Sequence, residues 1–320
     1  MAAPERQFRF RVALAFGLVY LLWGSTYLAI HIGVEQIGPE LMTGVRFPIA
    51  GIIMLSACAL TGRRLALTGR EFLREGIIGV LLLSVSNVVL CWAEQYVRTG
   101  LASLIVASVP IWFLVLDTWI LRGERLARRG LVGLALGAVG TVVLLWPKLV
   151  APAAGGRMEL FASCCLICSS FVWASGSVLS RRWQGSMDAF TATGWQMIIA
   201  GFINLGIAFL LGEPAKAHWT LRGMGAIAYL VVFGSLVGYT AYIWLLKHVP
   251  TSKVGTYAYV NPVIAVFLGW HFLGERVDGY IMAGTAIIIV AVALATSAKV
   301  KPPVGAEHEP ELPACEAGAD

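Results

Sequence analysis

The sequence is divided into apolar runs of about 20 residues, with short polar segments between them. A helix of this length crosses the hydrocarbon core of a bilayer, which is roughly 30 Å thick. Because hydrocarbon offers no water to backbone groups, a chain that enters it must form helices or a closed barrel. The alternating pattern of barrel strands is absent. The runs therefore predict an all-α integral membrane protein with ten transmembrane helices, at residues 12–31, 41–60, 76–96, 101–121, 131–147, 159–180, 190–211, 223–246, 254–273 and 279–297.

Composition and charge argue against several other classes of protein. Hydrophobic residues make up 58% and charged residues 13% of the chain, whereas soluble domains carry roughly a quarter charged residues. The net charge of +6 is spread over short segments, so no nucleic-acid partner is predicted. No glycine-rich phosphate loop for ATP is visible. Cys164, Cys165 and Cys168 cluster without a histidine or carboxylate, so neither a metal nor another cofactor is predicted.

Lysine and arginine are distributed unequally between alternate connecting segments. Seventeen lie on the side that holds both termini, six lie on the other side, and Arg46 lies within a span. Because such residues are retained on the cytoplasmic side, both termini of this inner-membrane protein are predicted to be cytoplasmic. The basic segment 1–11 resembles the start of a signal peptide, but the apolar run after it is too long for one. Residues 298–320 are predicted to be a disordered cytoplasmic tail.

The two halves of the chain, residues 12–147 and 159–297, repeat short motifs at offsets of 150 to 152 residues. The segment 148–158 is predicted to be a periplasmic linker between them. Because each half has five spans, the second half enters the membrane from the opposite side, which predicts two five-helix inverted repeats. Such halves can exchange shapes and open a central site to each side in turn. The matched motifs are residues 23–25 with 173–175, Pro110 with Pro262, residues 123–125 with 274–276, and Gly133 with Gly284.

The order and spacing of these motifs resemble the EamA family of the drug/metabolite transporter superfamily. The resemblance covers about residues 12–297. It implies a ten-helix inverted repeat, a central cavity, and export of small metabolites, amino acids or toxic compounds, often coupled to a proton. It does not imply one substrate, because the family is diverse. The resemblance rests on residues 23–27, Arg46-Phe47, Glu94, Pro110, residues 257–262 and Gly274-Glu275.

Aromatic and polar residues inside the spans are the candidate substrate-binding residues. Tyrosine and tryptophan rings can line a cavity for apolar or cationic groups, although rings near span ends also form interfacial belts. The two mid-span prolines remove backbone donors, which indicates exposed carbonyls, hinges or simple packing kinks. The candidates are Trp23, Tyr27, Asn87, Trp92, Pro110, Tyr239, Tyr257, Asn261 and Pro262.

Arg46 and Glu94 are the candidate coupling or gating residues. Both are expected at similar depth near the periplasmic side, and a buried charge is costly without a partner. They are therefore expected to pair or to share a network. Glu94 is predicted either to carry a coupled proton or to act only as an ion-pair partner. The scarcity of ionisable residues in mid-membrane favours a neutral, zwitterionic or aromatic-cation solute.

A membrane enzyme and a receptor or structural membrane protein are the alternatives to a transporter. An enzyme would need a metal cluster, a nucleophile with its base, or a deep carboxylate pair, and none is visible in the sequence. A receptor would not need an inverted repeat. The sequence therefore favours a permease that is not an enzyme, with a small-molecule substrate and the lipid bilayer as partners. A homodimer is left open.

Overall fold

The computed structural model describes residues 3–97, 99–116, 128–150, 156–183, 187–273 and 278–297. Within these ranges the regular structure is helical, without strands. Three features predicted from the sequence lie outside the described residues: the motif 123–125, its counterpart 274–276, and the tail 298–320.

The described part of the first half forms seven α-helices and one π-helical segment, which we call π1. The bounds are α1 Ala3–Val34, α2 Pro39–Leu60, α3 Gly69–Gly79, π1 Val80–Ser86, α4 Asn87–Ala93, α5 Thr99–Val106, α6 Val109–Leu116 and α7 Arg128–Val150. From α3 to α4 the chain is one continuous helix that contains π1.

The second half repeats this series. The bounds are α8 Gly156–Arg182, α9 Ala189–Leu210, a short 3₁₀ helix Glu213–Ala215, α10 Leu221–Tyr229, the π-helical segment π2 Leu230–Tyr239, α11 Thr240–His248, α12 Thr251–Val254, α13 Tyr257–Leu273 and α14 Gly279–Ser297. π1 and π2 begin 150 residues apart, each in the middle of a long helix.

Six helices are long and apolar enough to cross a membrane: Glu5–Val34, Pro39–Leu60, Gly69–Ala93, Gly156–Arg182, Ala189–Leu210 and Leu221–His248. Large apolar side chains such as Phe202, Phe209 and Leu210 lie exposed on their outer faces. Water would penalise these surfaces by roughly 25 cal/mol per Å², whereas lipid would not. An all-helical membrane protein is therefore confirmed.

The predicted span 101–121 is interrupted. α5 ends at Val106, and α6 begins at Val109 with Pro110 as its second residue. Proline has no N–H and its ring clashes with the preceding turn, which favours its place at the start of α6. The predicted span is thus interrupted directly before Pro110, one of the two prolines at which the sequence indicates a kink. Pro48 and Pro262, in contrast, lie inside α2 and α13. The predicted span 254–273 corresponds to α13, which begins three residues later and ends at the same residue, and the short helix α12 precedes it.

Helices that correspond in the two halves pack against each other through glycines. α2 lies along α9, where a Cβ on Gly44 would come within 2.7 Å of the Leu205 backbone. α7 lies along α14, where a Cβ on Gly284 would come within 2.5 Å of the Leu144 backbone. Such small residues allow close helix contact in membranes, where apolar burial alone does not hold helices together.

The first helix of each half packs against the other half. α1 contacts α10, π2, α11 and α13, whereas α8 contacts π1, α4, α5 and α6. The two halves are therefore interleaved around a common centre. π1, π2, α1 and α8 meet at this centre, and the candidate site lies among them.

Candidate functional site

A cavity of about 80 Å³ lies at the centre of the protein, between elements of both halves. Its walls are mostly apolar or aromatic, with a few polar groups. α1, α2, π1, α4, α5 and α6 contribute from the first half, and α8, π2 and α13 contribute from the second. π-helical turns are frequent at functional sites because they redirect side chains within a helix.

Most of the candidate residues from the sequence line this cavity: Trp23, Tyr27, Arg46, Asn87, Tyr239, Tyr257 and Asn261. The other four do not. Trp92 packs instead against Tyr96 and Phe161, with ring centroids 5.2 Å and 6.0 Å away. Pro110 and Pro262 are buried outside the cavity wall. Glu94 is the C-cap residue of α4, buried with 2% of its surface exposed.

Four rings form a compact group at one end of the cavity, which we call the aromatic cluster: Trp23, Trp173, Tyr242 and Tyr257. The Trp23 ring centroid lies 5.5 Å from Trp173, 4.8 Å from Tyr242 and 5.0 Å from Tyr257. Such separations are typical of favourable aromatic contacts, worth about 0.5–1.5 kcal/mol each beyond burial. Trp23 and Trp173, which correspond in the sequence repeat, are therefore direct neighbours across the two halves.

Arg46 lies in the cavity wall with 4% of its surface exposed. Its Nε donates to Ser235 Oγ at 2.8 Å, and its Cζ lies 4.9 Å from the centroid of the Phe47 ring. Gly234 gives the guanidinium room, since a Cβ there would come within 2.7 Å of Nη2. Nη1 is buried, and no residue of the described part of the chain forms a hydrogen bond with it.

The expected ion pair between Arg46 and Glu94 is not among the salt bridges of the described ranges. The two residues do lie on adjacent parts of the fold, since both interact electrostatically with Cys91. The guanidinium instead turns toward Ser235 in π2. Of the two alternatives, the direct pair is not found among the described residues, because similar depth does not fix the direction in which each helix presents its side chain. The shared network stays a prediction.

A chain of hydrogen bonds runs from the cavity wall to a carboxylate. The Tyr239 hydroxyl donates to Gln196 Oε1 at 2.6 Å, and Gln196 Nε2 donates to Glu75 Oε2 at 2.5 Å. Tyr239 and Gln196 are buried, and Glu75 is partly buried on α3. Neither Glu75 nor Gln196 is among the residues predicted from the sequence. Glu75 directly precedes the apolar run 76–96, which places it at the predicted membrane boundary.

Three serines of the cavity wall, Ser86, Ser169 and Ser170, are also absent from the residues predicted from the sequence. Ser86 at the end of π1 forms a hydrogen bond with Ser169 of α8, with 3.0 Å between the hydroxyl oxygens. Ser170 lies beside it in the wall. Hydroxyls inside apolar runs are common and mostly bond to their own helix, as Ser170 does to Leu166. The sequence therefore gives no signal that these serines face a cavity.

The described ranges hold no group of three or more metal-ligating side chains. Cys164 and Cys168 lie exposed on α8, and Cys165 is partly exposed. The cavity is lined by aromatic rings, aliphatic side chains, hydroxyls, amides and one guanidinium.

Comparison with known proteins agrees with this architecture. The sequence profile of the EamA-like transporter family matches the chain twice, at residues 11–146 and 160–297. YedA, named an inner membrane transporter of Escherichia coli strain K12, is 35% identical over 298 residues, which cover 91% of this chain and 94% of that protein. The transporter YoaV of Bacillus subtilis strain 168 is 23% identical, over 89% and 97% of the two chains. Protein PecM of Dickeya dadantii is 28% identical, over 85% and 87%.

The fold is shared with a protein of known crystal structure. That chain superimposes with a TM-score of 0.73 at 21% sequence identity, and the match covers 89% of this chain and 96% of the other. The double profile match covers nearly all of both halves, and similarity to YedA extends over most of the chain. The protein therefore belongs to the EamA-like transporter family and is a multi-pass inner-membrane transporter.

Proposed function

We propose that this transporter is a ten-helix secondary exporter of small organic solutes, with the central cavity as its solute site. The observation that carries the proposal is the cavity, because both copies of the family unit contribute to its walls. Its lining of aromatic rings with a few polar groups is typical of small-molecule sites. The resemblance to the drug/metabolite transporters supports export as the direction.

An inverted repeat of five spans per half supports alternating access. α1, α2 and the helix from α3 to α4 would be the first three spans, α5 with α6 the fourth and α7 the fifth. The second half follows the same order, from α8 to α14. An odd number of spans per half gives the halves opposite orientations, and their exchange of shapes would move the opening from one side to the other.

The aromatic cluster is the proposed cytoplasmic closure of the cavity. With cytoplasmic termini, Tyr242 lies in the cytoplasmic half of the continuous helix from α10 to α11, and Tyr257 lies at the start of α13. Tyr27 and Arg46 lie on the periplasmic side of Trp23 under the same orientation. The described conformation would then be a state closed toward the cytoplasm, and separation of the four rings would open it.

Loop contacts support the grouping of the connecting segments into two sides. At one end, Arg63 forms a 2.7 Å salt bridge with Asp188, and Lys247 Nζ donates to Met187 O at 2.8 Å. At the other end, the Leu41 N–H donates to Glu213 at 2.7 Å. Segments that the charge distribution assigns to one side thus contact one another.

Cysteine labelling in intact cells tests the orientation. On a cysteine-free background, Ala66→Cys is expected to react with a membrane-impermeant maleimide only after the cells are permeabilised, because residue 66 follows a basic cytoplasmic segment. Ala215→Cys, exposed on the opposite loop, is expected to react in intact cells. The reverse pattern would contradict the orientation, and equal labelling at both sites in intact cells would contradict the inverted repeat.

Transport by reconstituted protein tests the function. Vesicles that contain the protein are expected to exchange radiolabelled neutral or zwitterionic metabolites from a panel faster than empty vesicles. Trp23→Ala is expected to lower this rate by roughly tenfold or more, because it removes three ring contacts and one side of the cavity. Trp219→Ala, which changes an exposed indole on a loop, is the matched control and should leave the rate unchanged.

Two results would overturn the proposal. Loss of transport to the same extent in Trp219→Ala and Trp23→Ala would show that the cavity has no special role. Conversion of a panel solute into a new compound, without its movement across the membrane, would favour the membrane-enzyme alternative.

A further inference from the structure

The Arg46 guanidinium is the cavity group whose bonding is least complete. A buried guanidinium has five N–H donors to satisfy, and Ser235 Oγ accepts one of them at 2.8 Å. The face of the Phe47 ring provides a weak cation–π contact. Nη1 has no hydrogen-bond partner among the described residues, although it is fully buried.

The charge of Arg46 also has no carboxylate partner within the described ranges. None of the four salt bridges of the described ranges includes Arg46, so no carboxylate oxygen there lies within 4.0 Å of the guanidinium. Burial of a charge without a counter-charge is strongly unfavourable in the interior of a membrane protein. A structural arginine would be expected to have a carboxylate partner, whereas Arg46 presents its donors to the cavity.

The rest of the wall restricts the kind of anion that fits. Trp23, Tyr27 and Tyr257 offer aromatic surface, and these rings carry no further positive charge. A phosphate or a dicarboxylate would leave negative charge unpaired in apolar surroundings, which is costly. A single carboxylate matches one planar guanidinium, whose N–H groups bind it in parallel.

We propose that Arg46 binds the carboxylate of the transported solute, and that the solute is a small monocarboxylate with an apolar or aromatic body. This inference rests on the proposed function of the cavity as the solute site. Asn261 Oδ1, which is buried without a hydrogen-bond partner among the described residues, would meet a second polar group of the solute. An amino acid with an apolar side chain has all three features.

Binding of matched probes to the purified protein tests the inference. The probes are L-phenylalanine, 3-phenylpropionate, 3-phenylpropionamide and 2-phenylethylamine, and the measurement is the shift in thermal midpoint with probe concentration. L-phenylalanine and 3-phenylpropionate are expected to raise the midpoint at concentrations roughly tenfold to a hundredfold below those needed for the amide and the amine. The reason is that the amide and the amine cannot form the charge-assisted hydrogen bond with Arg46.

Arg46→Gln is expected to weaken the binding of the two carboxylates by the same factor and to leave the binding of the amide unchanged. Arg63→Gln, which alters an exposed loop arginine, is the matched control and should bind as the unaltered protein does. If Arg46→Gln does not fold, Gly234→Ala provides a second variant, because its methyl group would displace Nη2. Gly225→Ala, where a Cβ has open space, is its control.

The outcomes separate this inference from the proposed function. Equal binding of 3-phenylpropionate and 3-phenylpropionamide to the unaltered protein would overturn the carboxylate site, while the cavity would stay a solute site if Trp23→Ala weakened both. Carboxylate preference that persists in Arg46→Gln would also overturn the inference. If none of the four probes shifts the thermal midpoint at millimolar concentration, the result would count against both proposals.

Discussion

Replacing Gly201 by alanine is expected to destabilise the protein by about 1–3 kcal/mol, the usual cost of overpacking an interior contact. Gly201 lies where α9 crosses α2, and a Cβ there would come within 2.8 Å of the Pro48 backbone nitrogen. The proline ring is rigid, so it cannot move aside as a flexible side chain would. The two helices must separate, and the expected result is a fall of several degrees in the thermal midpoint in detergent.

Gly206→Ala is the matched control, because it makes the same change five residues later on the same helix. Gly206 is exposed, and a Cβ there has no atom within 4 Å. Alanine also favours helix over glycine by about 1 kcal/mol, so this variant is expected to be neutral or slightly stabilised. Equal midpoints for the two variants would show that the α2–α9 crossing is not a close contact.

The sequence predicts this crossing only in part. The repeat offset of 150 residues correctly relates α2 to α9, and their predicted bounds, 41–60 and 190–211, lie within two residues of the observed ones. The offset does not tell which faces of the helices meet. That depends on the shapes of distant side chains, such as the Pro48 ring opposite Gly201.

Local irregularities of the helices are predicted less well. The span 76–96 begins earlier than predicted, at Gly69, where Thr68 and Glu71 form a capping box. That motif is visible in the sequence, since a threonine followed three residues later by glutamate is typical of helix starts. π1 and π2 have no comparable signal, because a π-helical turn is selected by tertiary packing rather than by residue type.

Residue type predicts which side chains face the cavity. It predicts less well which residues form hydrogen bonds with them. Trp23, Tyr27, Tyr239 and Tyr257 are interior rings of the predicted spans, and each lines the cavity. Trp92 is a similar ring but points away, because one residue along a helix changes its direction by about 100°. Hydrogen bonds between distant segments, such as that from Gln196 to Glu75, are not encoded in any local pattern.

Replacing Glu75 by glutamine is expected to abolish the dependence of transport on a pH gradient, while exchange of solute without a gradient continues. When Glu75 is ionised, Gln196 donates to it and accepts from the Tyr239 hydroxyl. A protonated Glu75 would instead donate to the Gln196 oxygen. The amide would then turn over and donate to Tyr239, and the hydroxyl hydrogen of Tyr239 would point to the cavity.

The surroundings of Glu75 allow this change of state. Lys247 of α11 and Arg74 of α3 attract its negative charge, whereas Glu71 of α3 repels it, and Gln196 is its hydrogen-bond donor from α9. Protonation of Glu75 would therefore reorient the Tyr239 hydroxyl through two hydrogen bonds, without movement of a helix. A proton on Glu75 would thus act on Tyr239, the residue of this hydrogen-bonded chain that lies in the cavity wall.

Tyr239→Phe separates this switch from a structural role of Glu75. The variant removes the last hydrogen bond of the chain and leaves Glu75 with Gln196, so it is expected to lose gradient-driven accumulation as Glu75→Gln does. Tyr20→Phe is the matched control, because the Tyr20 hydroxyl also forms a 2.6 Å hydrogen bond, to Thr256, but has no link to a carboxylate. Its accumulation should match that of the unaltered protein.

Glu94→Gln decides between the two carboxylates near the cavity. Glu94 is buried at the end of α4 and interacts electrostatically with Tyr27, so it is the other residue on which a coupled proton can act. If Glu94→Gln abolishes gradient-driven accumulation in vesicles while Glu75→Gln retains it, the proton is carried by Glu94 and the Glu75 switch is wrong. If both variants accumulate solute as before, neither carboxylate couples transport, because glutamine keeps the shape of glutamate but cannot bind the proton.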